Sequence, residues 1–361
     1  MGRGCSDGES RTGSHTRIGE SRSPGLQSRQ EIETSPNLPI PPSPTPVIDT
    51  EQELSVVSGV ELWQWRQNAL KSAREAGVPT AEVDWLLVEV AGLDSLALRL
   101  ESFKEQGSAA GATRSQIKLR YPLSVLSQLW HRRQRDKVPV QYLAGVTPWR
   151  HFSLKVSPAV LIPRPETEYL IDLAVAAVKN SPISNLASGH WADLGTGSGA
   201  IALGLAEVLR AAMIHAVDYS ADALAIAQEN AQQLGFTQRI QFYQGTWWEP
   251  LDALKGQFSG MISNPPYIPS SLVKELQPEV RNHEPHLALD GGSDGLDCIR
   301  QLIETSPNYL RPGGLWLIEM MAGQAETVAQ LLRDQGRYRD IQIIPDLAGI
   351  DRFALAYRSE G

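Results

Sequence analysis

Cysteine is nearly missing from this chain of 361 residues, which has only Cys5 and Cys298. Two thiols are too few for a disulfide framework or a four-ligand structural zinc site, and their scarcity fits a reducing cytoplasm. Long apolar runs are missing too. The hydrophobic fraction is 42%, the mean hydropathy is −0.24, and no stretch approaches the ~18 apolar residues of a membrane span. A soluble protein with no membrane partner is expected. Nor is there an excess of positive charge. The net charge is −8 and the isoelectric point about 5.5, which argues against a stable grip on nucleic acid through global charge. Of seven histidines only His283 and His286 lie close together, with no third ligand suggested nearby, so no metal is expected.

The first 55 or so residues lack apolar periodicity. "GRGCSDGESRTGSHTRIGESRSPGLQ" and "SPNLPIPPSPTPVIDTEQE" are rich in Ser, Gly, Arg and Pro. Such a segment buries too little surface to offset its ordering entropy, so residues 1–57 are read as a disordered tail. It has no apolar core of a signal peptide, and Asp7, Glu9 and Glu20 count against a transit peptide. "MGRGCS" fits the myristoylation pattern at Gly2 and Ser6, but chance meets so short a pattern often. No methionine occurs between Met1 and Met213, so a later start would need a non-ATG codon near Val56 or Val57.

Helical signals begin at Ser58. Ser58-Gly59-Val60-Glu61 has the form of a capping box, followed by Leu62, Trp65, Ala69 and Ala73 at helical spacing and Gly77 as a stop. Pro79-Thr80 opens a second helix with Val83, Leu86, Leu87 and Val90 on one face, and a third covers residues 123–135. Residues 58–138 therefore read as a small helical domain. Its basic run "HRRQRDK", residues 131–137, reads as a solvated helix end. "RHFSLKVSPAVLIP" then alternates like a hairpin, making residues 139–168 a β-hairpin linker.

From about residue 184, strands and helices alternate. "WADLG", "MIHAVD", "RIQFYQ" and "SGMISN" are short strands, and residues 200–209 and 221–234 are helical. Alternation implies a parallel sheet covered on both faces, with ligands outside the strands' carboxyl ends. "GGLWLIEM", a helix over residues 324–334, "RDIQIIP" and "RFALAYR" follow. The short loop at Gly349 forces the last two strands to be antiparallel. The fold class is α/β: a Rossmann-like sheet, mostly parallel with an antiparallel C-terminal hairpin, over residues 169–361.

The first chemical motif is "DLGTGSGAIAL", residues 193–203. Gly195, Gly197 and Gly199 follow a strand and open a helix, letting a ligand approach the backbone. Asp218 ends the next strand, where a carboxylate can accept both hydroxyls of a ribose. Together they point to an adenosine-containing cofactor. The glycines do not choose between a nicotinamide dinucleotide and S-adenosylmethionine, because Ala200 still satisfies the dinucleotide fingerprint.

"ISNPPYIP", residues 262–269, decides it. The side-chain carbonyl of Asn264 and the backbone carbonyl of Pro265 can accept both hydrogens of a planar NH2 group. The prolines hold φ and supply no competing N–H, and Tyr267 can lie against the flat group so held. Such a clamp aims a nitrogen lone pair at an electrophilic methyl. A dehydrogenase has no use for it. No general base is called for, because transfer from a sulfonium needs alignment and the proton can leave afterwards.

"NPPY" after "DLGTGSG" resembles methyltransferases of planar amide or amino nitrogens. "PVQYLAG", "LIPRPETE", "HEPHLALDGGSDGL", "LRPGGLWLIE" and "AGIDRFALA" then resemble, in order, the stretches of the release factor glutamine N5-methyltransferases (the HemK family). The likeness runs from about residue 58 to the end. It implies that Gly195, Thr196, Gly197, Ser198 and Gly199 hold the methionine part of S-adenosyl-L-methionine, Asp218 its ribose, and Trp247 flanks its adenine. Asn264, beside the transferred methyl, would with Pro265, Pro266 and Tyr267 receive the substrate amide, and Asn264, Pro265 and Tyr267 would be the catalytic group. The implied substrate is the glutamine of the Gly-Gly-Gln loop of class-1 peptide-chain release factors, which the helical domain helps to dock. A cytoplasmic location and a monomeric state are expected.

Two positions depart from the family pattern: Thr246 where an acidic residue is common, and Met321 where glycine is common. Glu166 and Glu168 can line the cofactor mouth or serve as first-turn helix carboxylates. Glu284-Pro285 shapes either a loop beside the amide pocket or a surface turn. Three other functions share parts of the pattern. An N6-adenine methyltransferase would use NPPY on a flipped base but would add a basic recognition region, which this acidic chain lacks. A non-catalytic cofactor-binding regulator would not need Asn264. A methyltransferase of a ribosomal-protein glutamine would share the chemistry and differ only in partner.

Overall fold

Ser58 accepts a hydrogen bond from the Glu61 backbone N–H at 3.2 Å, and the Glu61 carboxylate accepts from the Ser58 N–H at 2.9 Å. This reciprocal cap starts the first helix. The computed structural model describes residues 55–104, 116–180 and 185–360. The readings made above for residues 1–54, of disorder and of a myristoylation pattern, lie outside the described residues. Residues 55–57 correct the tail boundary. They belong to strand β1 (Ser55–Ser58), which pairs antiparallel with β2 (Gln116–Leu119).

Between and after these strands lie α1 (Gly59–Ala76), α2 (Ala81–Ala91), α3 (Ser95–Leu100), α4 (Leu123–Arg135) and α5 (Val140–Ala144). Leu62, Val83, Leu86, Leu87, Leu126 and Trp130 pack into one apolar cluster. Helical periodicity put Trp65 on the buried face of α1, but Trp65 is half-buried and the buried position there is Arg66. Its guanidinium is paired with Asp84 and Glu101, which is how a charge can sit there. The basic run also departs from expectation. Arg133 faces inward at 5% exposure, bonded to Glu82 at 2.9 Å and Glu279 at 2.8 Å, so it is a buried ion-pair centre within the solvated run.

The hairpin consists of β3 (Val146–Trp149) and β4 (Phe152–Lys155), so only its second strand lies in the run read as alternating, whose residues 156–163 form no strand; α6 (Tyr169–Asn180) follows. Then come β5 (Ser188–Leu194), α7 (Ala200–Val208), β6 (Ala211–Asp218), α8 (Ala221–Gln233), β7 (Ile240–Gln244) and β8 (Phe258–Ser263). Short helices α9 (Ser270–Val273) and α10 (Pro278–His283) precede α11 (Asp297–Thr305), β9 (Leu310–Glu319), α12 (Ala325–Gln335), β10 (Tyr338–Pro345) and β11 (Asp351–Arg358).

The large sheet has the order β10-β11-β9-β8-β5-β6-β7. Its first five strands in sequence are mutually parallel, and β11 runs antiparallel between β9 and β10. Alternate residues of β9 feed opposite cores. Leu315 and Leu317 pack with Trp191, Leu203 and Phe353, whereas Trp316 and Ile318 pack with Leu194, Met261 and Ile299. β8 is buried at all six positions, as a central strand covered on both faces requires. It ends at Ser263 because Pro265 and Pro266 have no N–H to extend a ladder. The strand order reverses between β5 and β8, and a crevice opens at such a switch point beyond the carboxyl ends of the strands.

Candidate active site

Five parallel strands end at this crevice, and each leads to a residue considered for the site. β5 leads into Gly195, β6 ends on Asp218, β7 leads to Trp247, β8 leads to Asn264 and β9 ends on Glu319. A cavity of about 370 Å³ is lined by Gly195, Gly197, Asp218, Trp247, Asn264 and Pro266, among others. Thr246 and Tyr219 also line it. Leu287, within the stretch that begins at His283, and Cys298, which no sequence motif indicated, complete part of its wall.

On the glycine side, Gly195, Gly197 and Gly199 all have positive φ, from 54° to 85°. The Asp218 carboxylate accepts from the Gly197 N–H at 2.8 Å and the Ser220 N–H at 2.9 Å, which fixes its plane and leaves lone pairs for a diol. Burial pushes its carboxyl up, against these backbone bonds. Trp247 sits at φ 50°, a left-handed conformation for a bulky residue. Thr196, Ser198 and Gly199 lie behind the cavity wall. Thr196 donates to Asp193 at 2.5 Å, the Ser198 carbonyl accepts from Asn230 at 2.9 Å, and Gly199 packs on Ala227.

Asp193 opens the glycine motif but was not among the expected site residues. It is fully buried. Its Oδ2 accepts from Thr196 and from the Ala202 N–H, and its Oδ1 has no partner. Burial pushes its carboxyl up to about 7. An unpaired buried carboxylate oxygen next to a glycine cradle suits a ligand that carries a positive charge.

On the other side stands the Asn-Pro-Pro-Tyr turn. Asn264 Nδ2 donates to Thr167 Oγ1 at 3.1 Å, Thr167 Oγ1 donates to Glu319 Oε2 at 2.7 Å, and Tyr267 Oη donates to Glu319 Oε1 at 3.0 Å. The Tyr267 carbonyl accepts from Gln324 Nε2 at 3.0 Å. Beyond the turn, Ile268 bonds Leu289 and Gly291 through its own N–H and carbonyl. The segment that braces it contains Gly291 and Gly295 because nothing larger fits. A Cβ on Gly291 would stand 2.7 Å from the Pro266 carbonyl, and one on Gly295 2.3 Å from the Tyr267 carbonyl. Among the described residues, neither Asn264 Oδ1 nor the Pro265 carbonyl accepts a hydrogen bond. Pro265 is itself buried and does not line the cavity.

Of the two open questions in the flanking motifs, both are answered by burial. Glu166 is exposed and Glu168 accepts from the Arg150 N–H, while Thr167 between them is the residue that reaches the turn. Glu284 is buried, paired with Arg164 at 2.6 Å, and Pro285 lines the cavity, so this stretch is a site loop. His283 bonds the Asp136 carbonyl at 2.7 Å, and His286 stands 3.9 Å from Asp290.

A family model described as a methyltransferase domain matches residues 188–343. The release factor glutamine methyltransferase of Synechocystis sp. is 53% identical over 300 residues, covering 83% of this chain and 97% of its own length. That of Thermosynechococcus vestitus is 48% identical over 295 residues, with 81% and 96% covered. The one from Gloeobacter violaceus is 44% identical over 293 residues, again covering 81% and 96%. The sheet order, a methyltransferase domain over the sheet and full-length relatives agree: this chain belongs to the release factor glutamine methyltransferases and has their class I methyltransferase fold.

Proposed function

We propose that the protein transfers a methyl group from S-adenosyl-L-methionine to the side-chain N5 of a glutamine, that of the Gly-Gly-Gln loop in class-1 peptide-chain release factors. One observation carries the reading. In a turn held through Asn264 Nδ2 and through the hydroxyl and carbonyl of Tyr267, Asn264 Oδ1 and the Pro265 carbonyl accept no hydrogen bond among the described residues. A primary amide offers two N–H donors in one plane, and two adjacent acceptors match them.

The cofactor supplies an electrophilic methyl. Gly195 to Gly199 leave the backbone bare for its approach, Asp218 takes the ribose hydroxyls and Trp247 flanks the base. Asp193 Oδ1 accepts from a cationic amine. Asn264 and Pro265 orient the amide so that its nitrogen lone pair faces the methyl, and Pro266 and Tyr267 fix that turn. The gain comes from alignment of two bound reactants. Residues 58–138 form the docking domain for the release factor, residues 139–168 link it, and residues 169–361 carry the chemistry. The relatives' names and the described active-site acceptors support this reading together.

The test is direct. The full chain is incubated with S-adenosyl-L-methionine and a class-1 release factor, and the products are mapped by tandem mass spectrometry. A methyl on the Gly-Gly-Gln glutamine is the expected result. A methyl on a ribosomal-protein glutamine or on adenine of a DNA control, with none on the release factor, overturns it. Asn264→Ala abolishes turnover and leaves cofactor affinity within about threefold.

A further inference from the structure

The Asn264 amide is nearly symmetric in shape, and only one of its two orientations presents an acceptor to the substrate. Something must choose between them. We infer that Glu319, acting through Thr167, is the positioning residue that holds the Asn264 side chain with its oxygen toward the substrate amide and its nitrogen away. The inference rests on the proposed glutamine substrate.

The choice follows from which atoms have protons to give. β8 and β9 are parallel neighbours with Ser263 opposite Ile318, so the next residues, Asn264 and Glu319, emerge side by side. Glu319 is 1% exposed, and both its oxygens accept, one from Thr167 and one from Tyr267. With both oxygens taken as acceptors, the Glu319 carboxylate has no proton to donate. Thr167, itself 4% exposed, must therefore spend its single hydroxyl proton on Glu319. Its oxygen can then only accept from Asn264, and only Nδ2 can donate. Direction passes from the acceptor-only group at one end to the amide at the other. Burial pushes the Glu319 carboxyl up, while Thr167, Tyr267 and Arg352 favour its charged form.

With glutamine at 319 the new NH2 can donate to Thr167, and the Thr167 proton is released toward Asn264 Oδ1. Asn264 can then turn its nitrogen to the substrate, placing donor against donor. A carboxylate ligand would be preferred in that state. The measurement is accordingly the preference of the enzyme for a release factor carrying Gly-Gly-Gln over the same factor carrying Gly-Gly-Glu, by competition, alongside turnover and cofactor binding.

Wild type favours the glutamine form by at least tenfold. Glu319→Gln and Thr167→Val reduce that preference to threefold or less and lower kcat at least a hundredfold, with cofactor affinity kept within about threefold. Thr167→Ser restores both the preference and most of kcat. A residue that only holds the fold together would lower activity without changing the choice between the two ligands. An unchanged preference in Glu319→Gln and Thr167→Val overturns the inference, as does failure of Thr167→Ser to restore it if Thr167→Val is poorly folded. If wild type itself methylates no release-factor glutamine, the functional reading fails first and this inference falls with it.

Discussion

Gln324 donates from Nε2 to the carbonyl of Tyr267 at 3.0 Å, and so fixes the last residue of the Asn-Pro-Pro-Tyr turn. Its Oε1 accepts from the Met321 N–H at 2.9 Å, which holds the amide in that orientation. The side chain is 6% exposed, so water cannot replace it. Gln324→Leu keeps the bulk and removes both of these bonds together with a third, from Nε2 to the Gly295 carbonyl at 3.3 Å. It should cost about 1–3 kcal/mol through the stranded buried carbonyl, seen as a lower melting temperature. Turnover should fall at least tenfold with cofactor affinity nearly unchanged. Full turnover in this variant would show that the turn holds its shape without the brace.

Gly295 tests the same contact from the other side. It has φ 79°, and a Cβ there would stand 2.3 Å from the Tyr267 carbonyl. Gly349 has nearly the same φ, 80°, but nothing within 4 Å of its Cβ position. Gly349→Ala therefore pays only left-handed strain of about 1–2 kcal/mol and leaves turnover intact. Gly295→Ala meets the same strain and also displaces the turn, so turnover should drop at least a hundredfold. Equal effects in the two variants would mean that the close approach is unimportant.

The sheet was legible because its signals are local. Strand β6 ends on Asp218 and β8 stops before two prolines, and both boundaries follow from short apolar runs and their breakers. The pair β1–β2 was missed because each strand has only four residues and its partner lies about sixty positions away. The site residues divide in the same way. Asp218 and Asn264 stand in motifs whose chemistry can be read in sequence. Thr167 and Glu319 become functional only through the register that sets β9 beside β8, and Thr167 is flanked by two glutamates that draw attention from it. Arg133 was hidden by its neighbours, since three of the six residues around it are basic. Nothing in the run marks which arginine turns inward.

Asp193 gives a pH dependence with a definite sign. In the folded chain burial pushes its carboxyl up to about 7, against an ordinary value of 3.8. Between those values the folded protein holds a proton that the unfolded chain has lost. Its stabilising contribution is therefore complete below about pH 4 and is lost as pH rises toward 7 and beyond. Without cofactor, the denaturant midpoint of Asp193→Asn should fall less than that of wild type over pH 5 to 8. The same variant should bind S-adenosyl-L-methionine at least tenfold more weakly at pH 8, because it no longer offers a charge to the ligand amine. Parallel stability profiles for the two proteins would rule out Asp193 as the titrating group.

Arg133 joins α4 to α2 through Glu82 and to α10 through Glu279, and α10 leads directly into the site loop at Glu284 and Pro285. Its side chain is 6% exposed, and those of Glu82 and Glu279 are 20% and 26% exposed. Arg133→Ala leaves two carboxylates facing each other without a cation, which should destabilise the fold by about 3–5 kcal/mol. Arg133→Met fills the same space but also leaves the carboxylates unpaired, so packing alone should recover little. Arg133→Met together with Glu82→Gln and Glu279→Gln removes all three charges and should recover much of the loss, since a buried ion pair and an uncharged replacement often differ little in stability. If the charges serve only stability, the triple variant should also recover turnover. If they hold α10 at the angle that brings Pro285 to the cavity, it should regain its melting temperature while kcat stays low. The position of the site loop relative to α4 favours the second outcome, because α10 has no buried side chain of its own to anchor it.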